Sequence, residues 1–344
     1  MLDANTLAFI WAVLIATAVF IYVCLDGFDL GIGILFPVLP HKEDRDVAVN
    51  SVAPVWDGNE TWLVLGGVGL FPVFPLAYAT ILPALYMPLL LMLLALVFRG
   101  VSFEMRFRAA NEVQQLWWDR AFSWGSYVAA FTQGIALGAF VQGIEVRDRA
   151  YAGGWWDWLT PFSVLTGLAL VTGYGVLGAC WLVWKTEGPL HDRARSQARS
   201  MGIALLLFIL AVSLCMPFLQ PAFRERWLSF PNMLFAAPVP ILVLVLAWGF
   251  FRALERADQH GLWADAKPFV LVLGLFLVSY AGLGVSMWPW IVPPSISIWD
   301  AAAPPSTQLF LLAGTAVLLP IILGYTAYVY WLFRGKVRAD AGYH

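Results

Sequence analysis

An all-α integral membrane protein with nine transmembrane helices is the fold class that this sequence predicts. Three observations carry it. Of 344 residues, 61% are hydrophobic and only 12% charged, with a mean hydropathy of +0.76, whereas a soluble domain carries about a quarter charged residues. Apolar windows of about 20 residues, enough to cross a hydrocarbon core, can be laid down nine times. Lys and Arg also collect on alternate connections, as cytoplasmic loops do. The formal net charge of -2 says nothing about nucleic acid, and no Lys/Arg block resembles a binding tail, so no nucleic-acid partner is expected. Residues 1–344 read as a single membrane domain.

In chain order the expected spans are 8–36, 53–71, 79–98, 121–142, 161–184, 201–219, 236–251, 268–288 and 308–332. The first follows a stretch with Asp3 and no Lys or Arg, which lacks the positive n-region of a cleavable signal, so it is expected to remain as a span. Residues 53–71 and 79–98 are joined by the uncharged, Pro-containing Phe71 to Tyr78. Thr132, Gln133 and Gly134, and Thr166, Gly167, Thr172 and Gly173, are the small and polar types that let membrane helices pack. Trp117, Trp118, Trp155, Trp156, Trp158, Trp288 and Trp290 cluster toward predicted ends, as interfacial anchors do.

Orientation follows from charge. Lys42, Arg45, Arg99, Arg106, Arg108, Arg120, Lys185, Arg193, Arg195, Arg199, Arg252, Arg256, Lys267, Arg334, Lys336 and Arg338 fall on one side. Only Arg147, Arg149, Arg224 and Arg226 fall on the other, and together these make up the 20 Lys+Arg of the chain. Nine spans with the N-terminus outside and the C-terminus inside satisfy this asymmetry.

The chemistry concentrates in residues 22–62. Asp26 and Asp29 lie in the first span, Asp57 and Glu60 at the start of the second, each pair three residues apart and so on one face if helical. A carboxylate at membrane depth costs several kcal/mol and faces a bundle interior, a partner or a water-filled path. With Arg99, Glu104 and Arg106 placed at the inner end of the third span, all these charges converge on one leaflet. Two roles stay open for the acids: titratable relay for protons, or pairing with Arg99 that holds helices in register.

Other candidates are weaker. Cys24, Cys180 and Cys215 are scattered in apolar runs and match neither a disulfide framework nor a CxxC metal site, so they are expected as small core residues. His41, His191, His260 and His344 all fall in predicted loops or at the terminus, which leaves no intramembrane His for a b-type haem. Met87, Met92, Met216 and Met287 read as packing. No metal ligand set is expected.

Four strings then identify a resemblance. Asp26-Gly27-Phe28-Asp29-Leu30-Gly31, Trp56-Asp57-Gly58-Asn59-Glu60-Thr61-Trp62, Phe98-Arg99-Gly100 with Phe103-Glu104, and Trp299-Asp300-Ala301 resemble subunit II of the cytochrome bd quinol oxidases, in order and over the whole chain. The short chain and Glu60-Thr61 are similar to the cyanide-insensitive branch. The resemblance implies two four-helix bundles plus one peripheral helix, packed against subunit I in the bacterial cytoplasmic (inner) membrane. It implies a complex that oxidises quinol and reduces dioxygen to water, with two b-type haems and haem d on subunit I and none bound by this chain alone. Some members add a small single-helix subunit or a structural quinone, for which no motif here assigns residues. Asp29 and Asp57 match family positions in a proton path from the cytoplasm. Asp26 and Glu104 are their neighbours, Glu104 standing where other members have Asp. Glu60 joins them by placement, with Arg99 as charge partner, and Trp62 matches a position near an oxygen entry route. The function so implied is a haem-free subunit that supports assembly of subunit I and contributes a proton path to the oxygen-reducing haem. The alternative from another class is a cation-coupled secondary transporter using the acid cluster, against which stands the lack of an inverted repeat; a third reading is a purely structural membrane scaffold.

Overall fold

The computed structural model describes residues 3–257 and 261–337, so the expectations for His260, Arg338 and His344 lie outside the described residues. The chain begins with α1 (Ala4–Leu35), N-capped by Asp3, whose Oδ1 accepts the Thr6 N–H. A short helix α2 (Lys42–Val52) leads to α3 (Trp56–Val73), α4 (Pro75–Ala84), α5 (Tyr86–Phe107) and α6 (Glu112–Gln142). A hairpin of β1 (Val146–Arg147) and β2 (Ala150–Tyr151) precedes α7 (Pro161–Lys185) and α8 (Gly188–Leu219). Then come α9 (Pro221–Leu228), α10 (Asn232–Ala236), α11 (Pro238–Arg256) and α12 (Leu262–Met287), a hairpin of β3 (Trp290–Val292) and β4 (Ile296–Ser297), and α13 (Pro305–Leu332).

Among the described residues, seven helices are long and apolar enough to cross a membrane, two fewer than the nine expected. The other two expected spans are helical, as α3 and α6, but stand outside that set. Acids open α3, and Asp119, Arg120 and Gln133 interrupt α6.

The region 71–107 differs most from expectation. The connection Phe71 to Tyr78 is largely helical, because Pro75 sits at the first turn of α4, where its missing N–H costs nothing. A second break at Leu85 moves the start of the next helix to Tyr86, and that helix runs on to Phe107. Arg99, Glu104 and Arg106 therefore lie within α5 and not beyond its end. An apolar window stops at the first cation, whereas a helix stops only where its backbone loses partners. By the same logic α8 begins at Gly188, well before the expected 201, with its charged first turns projecting past the apolar run.

Helix contacts group α1, α3, α5 and α6 on one side and α7, α8, α11 and α12 on the other, joined along α1–α7 and α6–α7, while α13 touches mainly α1 and α3 from outside. Glycine permits the central seam. A Cβ on Gly31 would lie 2.0 Å from the Tyr174 carbonyl oxygen, and one on Gly178 would lie 2.5 Å from the Gly31 carbonyl carbon, so the backbones of α1 and α7 touch directly. Beside this seam Phe28 stacks on Trp181 with ring centroids 4.2 Å apart, and Phe269 closes the cluster. Cys24 and Cys180 are buried as expected of small core residues, but Cys215 is exposed on α8.

One end of the bundle is clasped by charge. Arg106, fully buried, donates from Nε to Asp119 Oδ1 at 2.5 Å and from Nη2 to Asp46 Oδ1 at 2.5 Å, and Arg45 Nε donates to Asp119 Oδ2 at 2.9 Å. Arg193 on α8 pairs with Asp44. These bonds hold α2 across the ends of α5, α6 and α8. Arg106, read from sequence as a loop cation, is thus a structural one. His191 likewise lies in the first turns of α8, buried, with Nδ1 3.5 Å from Asp192. At the same end the segment after α13 is strapped down: Lys185 Nζ donates to the Phe333 carbonyl at 2.6 Å, and Lys336 Nζ to the Thr186 carbonyl at 2.8 Å and to Asp265 Oδ2 at 2.7 Å.

Candidate functional site

The acids of α1 stand on the face turned to α3 and α5. Asp26 and Asp29 are both completely buried. Helical periodicity puts them one turn apart, and Gly27, between them, leaves room for the Tyr174 ring, which a Cβ there would approach to 2.7 Å.

Arg99 on α5 meets them from the other side and is 1% exposed. Its Nη1 donates to Asp26 Oδ1 at 3.0 Å and to Glu60 Oε1 at 2.6 Å. The Trp56 ring lies 5.9 Å from the guanidinium carbon, a cation–π distance. Asp29 has a different environment: its Oδ2 accepts from Asn59 Nδ2 at 2.7 Å, and Asn59 Oδ1 accepts from the Tyr330 hydroxyl of α13 at 2.8 Å. Asp26 Oδ2, Asp29 Oδ1 and Arg99 Nε are buried with no protein partner among the described residues. Deeper in, Gln133 bridges two tyrosines, its Nε2 donating to the Tyr22 oxygen at 2.5 Å and its Oε1 accepting from Tyr174 at 2.6 Å.

The charge balance follows from this inventory. One guanidinium faces two buried carboxyl groups and a half-buried third, and Coulomb attraction in a low-dielectric setting can compensate only as many anions as there are cations near. A group with more carboxyls than cations, and with carboxylate oxygens lacking donors, is chemically equipped to hold and exchange protons.

The structure brings together Asp26, Asp29, Glu60 and Arg99. It does not bring in Asp57 or Glu104: both are exposed, Asp57 in the first turn of α3 and Glu104 on the outer side of α5. Spacing alone suggested that Asp57 and Glu60 share a face, yet only Glu60 turns inward far enough to reach Arg99. Trp62 is buried, 3% exposed, with its indole nitrogen unpartnered among the described residues. It lines an apolar cavity of about 80 Å³ between α1, α3 and α13, with Trp11, Ala18, Ile21 and Leu319 among the walls.

Residues that sequence reasoning left without a role are Asn59, Tyr330 and Tyr22, while Gln133 was expected only at a helix contact. Asn59 sits inside the Trp56 to Trp62 string, so a polar amide one residue before Glu60 was the available signal. Tyr330 lies 271 residues away from it, and nothing in the local sequence marks it. The fourth motif has a local explanation. Asp300 Oδ2 accepts from Ser297 Oγ at 2.5 Å and Ser297 N–H at 3.2 Å, which closes the turn after β4. The Ser297 side-chain and backbone hydrogen bonds also hold the Asp300 carboxyl below the usual carboxylate range.

A helical chain with several helices long and apolar enough to span a membrane, and with a group of carboxyls on α1 and α3, belongs to the class of multi-span membrane proteins. Comparison with known proteins defines it further. Residues 7–333 match the family model for cytochrome bd terminal oxidase subunit II. The chain is 30% identical to the cytochrome bd-I ubiquinol oxidase subunit 2 of Escherichia coli (strain K12), with 99% of this chain and 97% of that protein aligned. It is 26% identical to the cytochrome bd ubiquinol oxidase subunit 2 of Bacillus subtilis (strain 168), over 95% of this chain and 96% of that one. In fold it resembles a chain of the bd oxidase from Geobacillus thermodenitrificans, with a TM-score of 0.75 over 95% of this chain and 98% of that chain, at 18% identity. The chain belongs to the cytochrome bd terminal oxidase subunit II family. It is a subunit of an oxidoreductase complex and implies a partner subunit I and haems in the complex. This selects the oxidase reading over the cation-coupled transporter.

Proposed function

We propose that this chain is the haem-free subunit II of a quinol:oxygen oxidoreductase of the bacterial inner membrane, supporting assembly of subunit I and carrying protons from the cytoplasm toward its oxygen-reducing haem. The observation that carries the reading is the trio of buried Asp26 and Asp29 and half-buried Glu60 around Arg99, with the Asp29 carboxyl bonded to a neutral amide and, among the described residues, to no cation. Reduction of dioxygen consumes protons, and a low-dielectric barrier demands titratable groups in series. Exposed Asp57, in the first turn of α3, is the entrance, and exposed Glu104 on α5 is a further surface acid of the path. Glu60 and Asp26, tied through Arg99, form the inner step, and Asp29 is the group free to change its proton.

The orientation with the N-terminus outside and the C-terminus inside supports this direction, because the clasped end that bears Arg45, Arg106, Arg193 and Lys336 is the cation-rich end. Among the described residues, the His and Met side chains do not fit a haem site. His41 stands exposed before α2 and His191 at the start of α8. Met92 is buried in the apolar cluster around Phe28, and Met216 in another around Phe162 and Phe223. This supports two b-type haems and haem d on subunit I. The apolar cavity beside Trp62 is of the kind that admits a small apolar gas, which supports an oxygen route there. A small third subunit, surrounding lipid and a structural quinone complete the expected partners.

The test is oxygen consumption with quinol in membranes carrying the assembled complex. Asp29→Asn and Asp57→Asn lower the rate while the reduced haem spectrum stays intact. Full activity in both variants refutes the relay, and loss of the haem signal assigns these acids to assembly.

A further inference from the structure

Asn59 joins two groups that differ in what they can donate. Its Nδ2 gives a hydrogen bond to Asp29 Oδ2 at 2.7 Å, and its Oδ1 takes one from the Tyr330 hydroxyl at 2.8 Å. An ionised carboxylate only accepts, so it fixes the amide with its NH₂ toward Asp29. The Tyr330 hydroxyl is then obliged to act as donor.

Protonated Asp29 reverses the requirement. A carboxylic acid donates its O–H to an amide oxygen, and a phenol accepts from an amide N–H as readily as it donates. Turning the Asn59 amide by half a revolution about Cβ–Cγ, a soft torsion, satisfies these three groups again with every donor and acceptor exchanged. It gives up only the longer 3.4 Å bond from Asn59 Nδ2 to the Leu25 carbonyl, an oxygen that lies within α1 and keeps the helical backbone bond there. Other charged neighbours do not compete for the amide. Those facing Asp29 are Asp26 on its own helix, Glu60 on α3, Arg99 on α5 and Tyr330 on α13, and the first two are engaged with Arg99 Nη1.

We propose that Asn59 and Tyr330 form a two-state amide switch that follows the protonation of Asp29 and passes it to α13. Asn59 and Tyr330 are positioning residues. The switch deepens the proton-path reading and rests on it only for its purpose, because the coupling itself concerns these three side chains alone. α13 is suited to receive the signal. Gln308 is its single fully buried residue among those described, and its inner end is held by Tyr330, which packs edge-on to Trp181, and by the strap at 333–337.

The experiment is infrared difference spectroscopy of the assembled oxidase across a pH titration. The carboxyl C=O band absent from Asp29→Asn identifies Asp29, and the tyrosine C–O band absent from Tyr330→Phe identifies Tyr330. The Tyr330 band shifts in the same titration as the Asp29 band and becomes pH-independent in Asp29→Asn. Tyr330→Phe slows oxygen consumption about fivefold, the size of one lost neutral hydrogen bond, at unchanged haem content. Asn59→Leu keeps the phenol but removes the amide, and it uncouples the two bands even if Tyr330→Phe assembles poorly. A Tyr330 band that stays fixed while Asp29 titrates overturns the switch. Wild-type rates in both Asp29→Asn and Asp57→Asn overturn the relay instead, and the switch then stands or falls on the band coupling alone.

Discussion

Replacing Arg99 by Gln removes the one cation from a site with three carboxyls. Its Nη1 serves Asp26 at 3.0 Å and Glu60 at 2.6 Å. At an effective dielectric near 20, two charges about 4 Å apart attract by about 4 kcal/mol. The Asp26 pair is wholly buried and keeps this value, whereas the Glu60 side chain is 28% exposed and contributes less through solvent screening. Set against these gains is the cost of withdrawing each ion from water, so the pair stabilises little as a whole. Removing one member alone leaves Asp26 buried and uncompensated, which costs about 3–5 kcal/mol. That is a large part of a membrane subunit's margin, and the complex should accumulate poorly. The assay is haem content and thermal stability of membranes carrying Arg99→Gln, at neutral pH and again with Asp26→Asn added. The double variant regains most of the lost complex, because removing the orphaned anion removes the penalty. Normal assembly of the single variant at neutral pH would refute the reasoning. So would a double variant no better than the single one.

Four further outcomes are expected. Asp119→Asn strips the buried Arg106 of its firmest partner and costs about 3 kcal/mol, seen as faster proteolysis around α2 at 37–55, while Lys42→Ala, in a half-exposed pair with Asp46, changes stability by less than about 1 kcal/mol. Gly31→Ala forces a methyl group against the Tyr174 carbonyl, from which it would be 2.0 Å away; separating α1 from α7 costs at least about 1–3 kcal/mol, and the complex yield falls on gel filtration. Asp57→Asn, an exposed change, leaves the unfolding temperature of the complex within the spread of a surface substitution, about 0.5 kcal/mol, so any drop in oxygen consumption in that variant reports function and not folding.

How much was legible in advance varies by residue. Asp26, Asp29 and Glu60 declared themselves because a carboxyl in an apolar run is costly wherever the chain goes, and Arg99 because it was the cation nearest to them. Composition and charge asymmetry likewise announced a helical membrane protein. The extension of α5 past Arg99 to Phe107 was hidden, since a hydropathy window registers an ion as an end and cannot see the acids that neutralise it. The helix α4 was hidden for a related reason: Pro75 reads as a break in sequence but acts as a helix start.

By itself, then, the sequence determined the class of protein, the elements that carry its acids and the family to which it belongs, because the cost of burying charge and the order of four motifs are properties of the chain. The tertiary structure alone decided which acids meet. It turned Asp57 and Glu104 outward, set Asp26 and Glu60 on a single guanidinium nitrogen, and carried Tyr330 across from the last helix to Asn59. Such pairings depend on helix rotation and on backbones brought close at Gly31 and Gly178, and contacts between residues hundreds of positions apart leave no local mark.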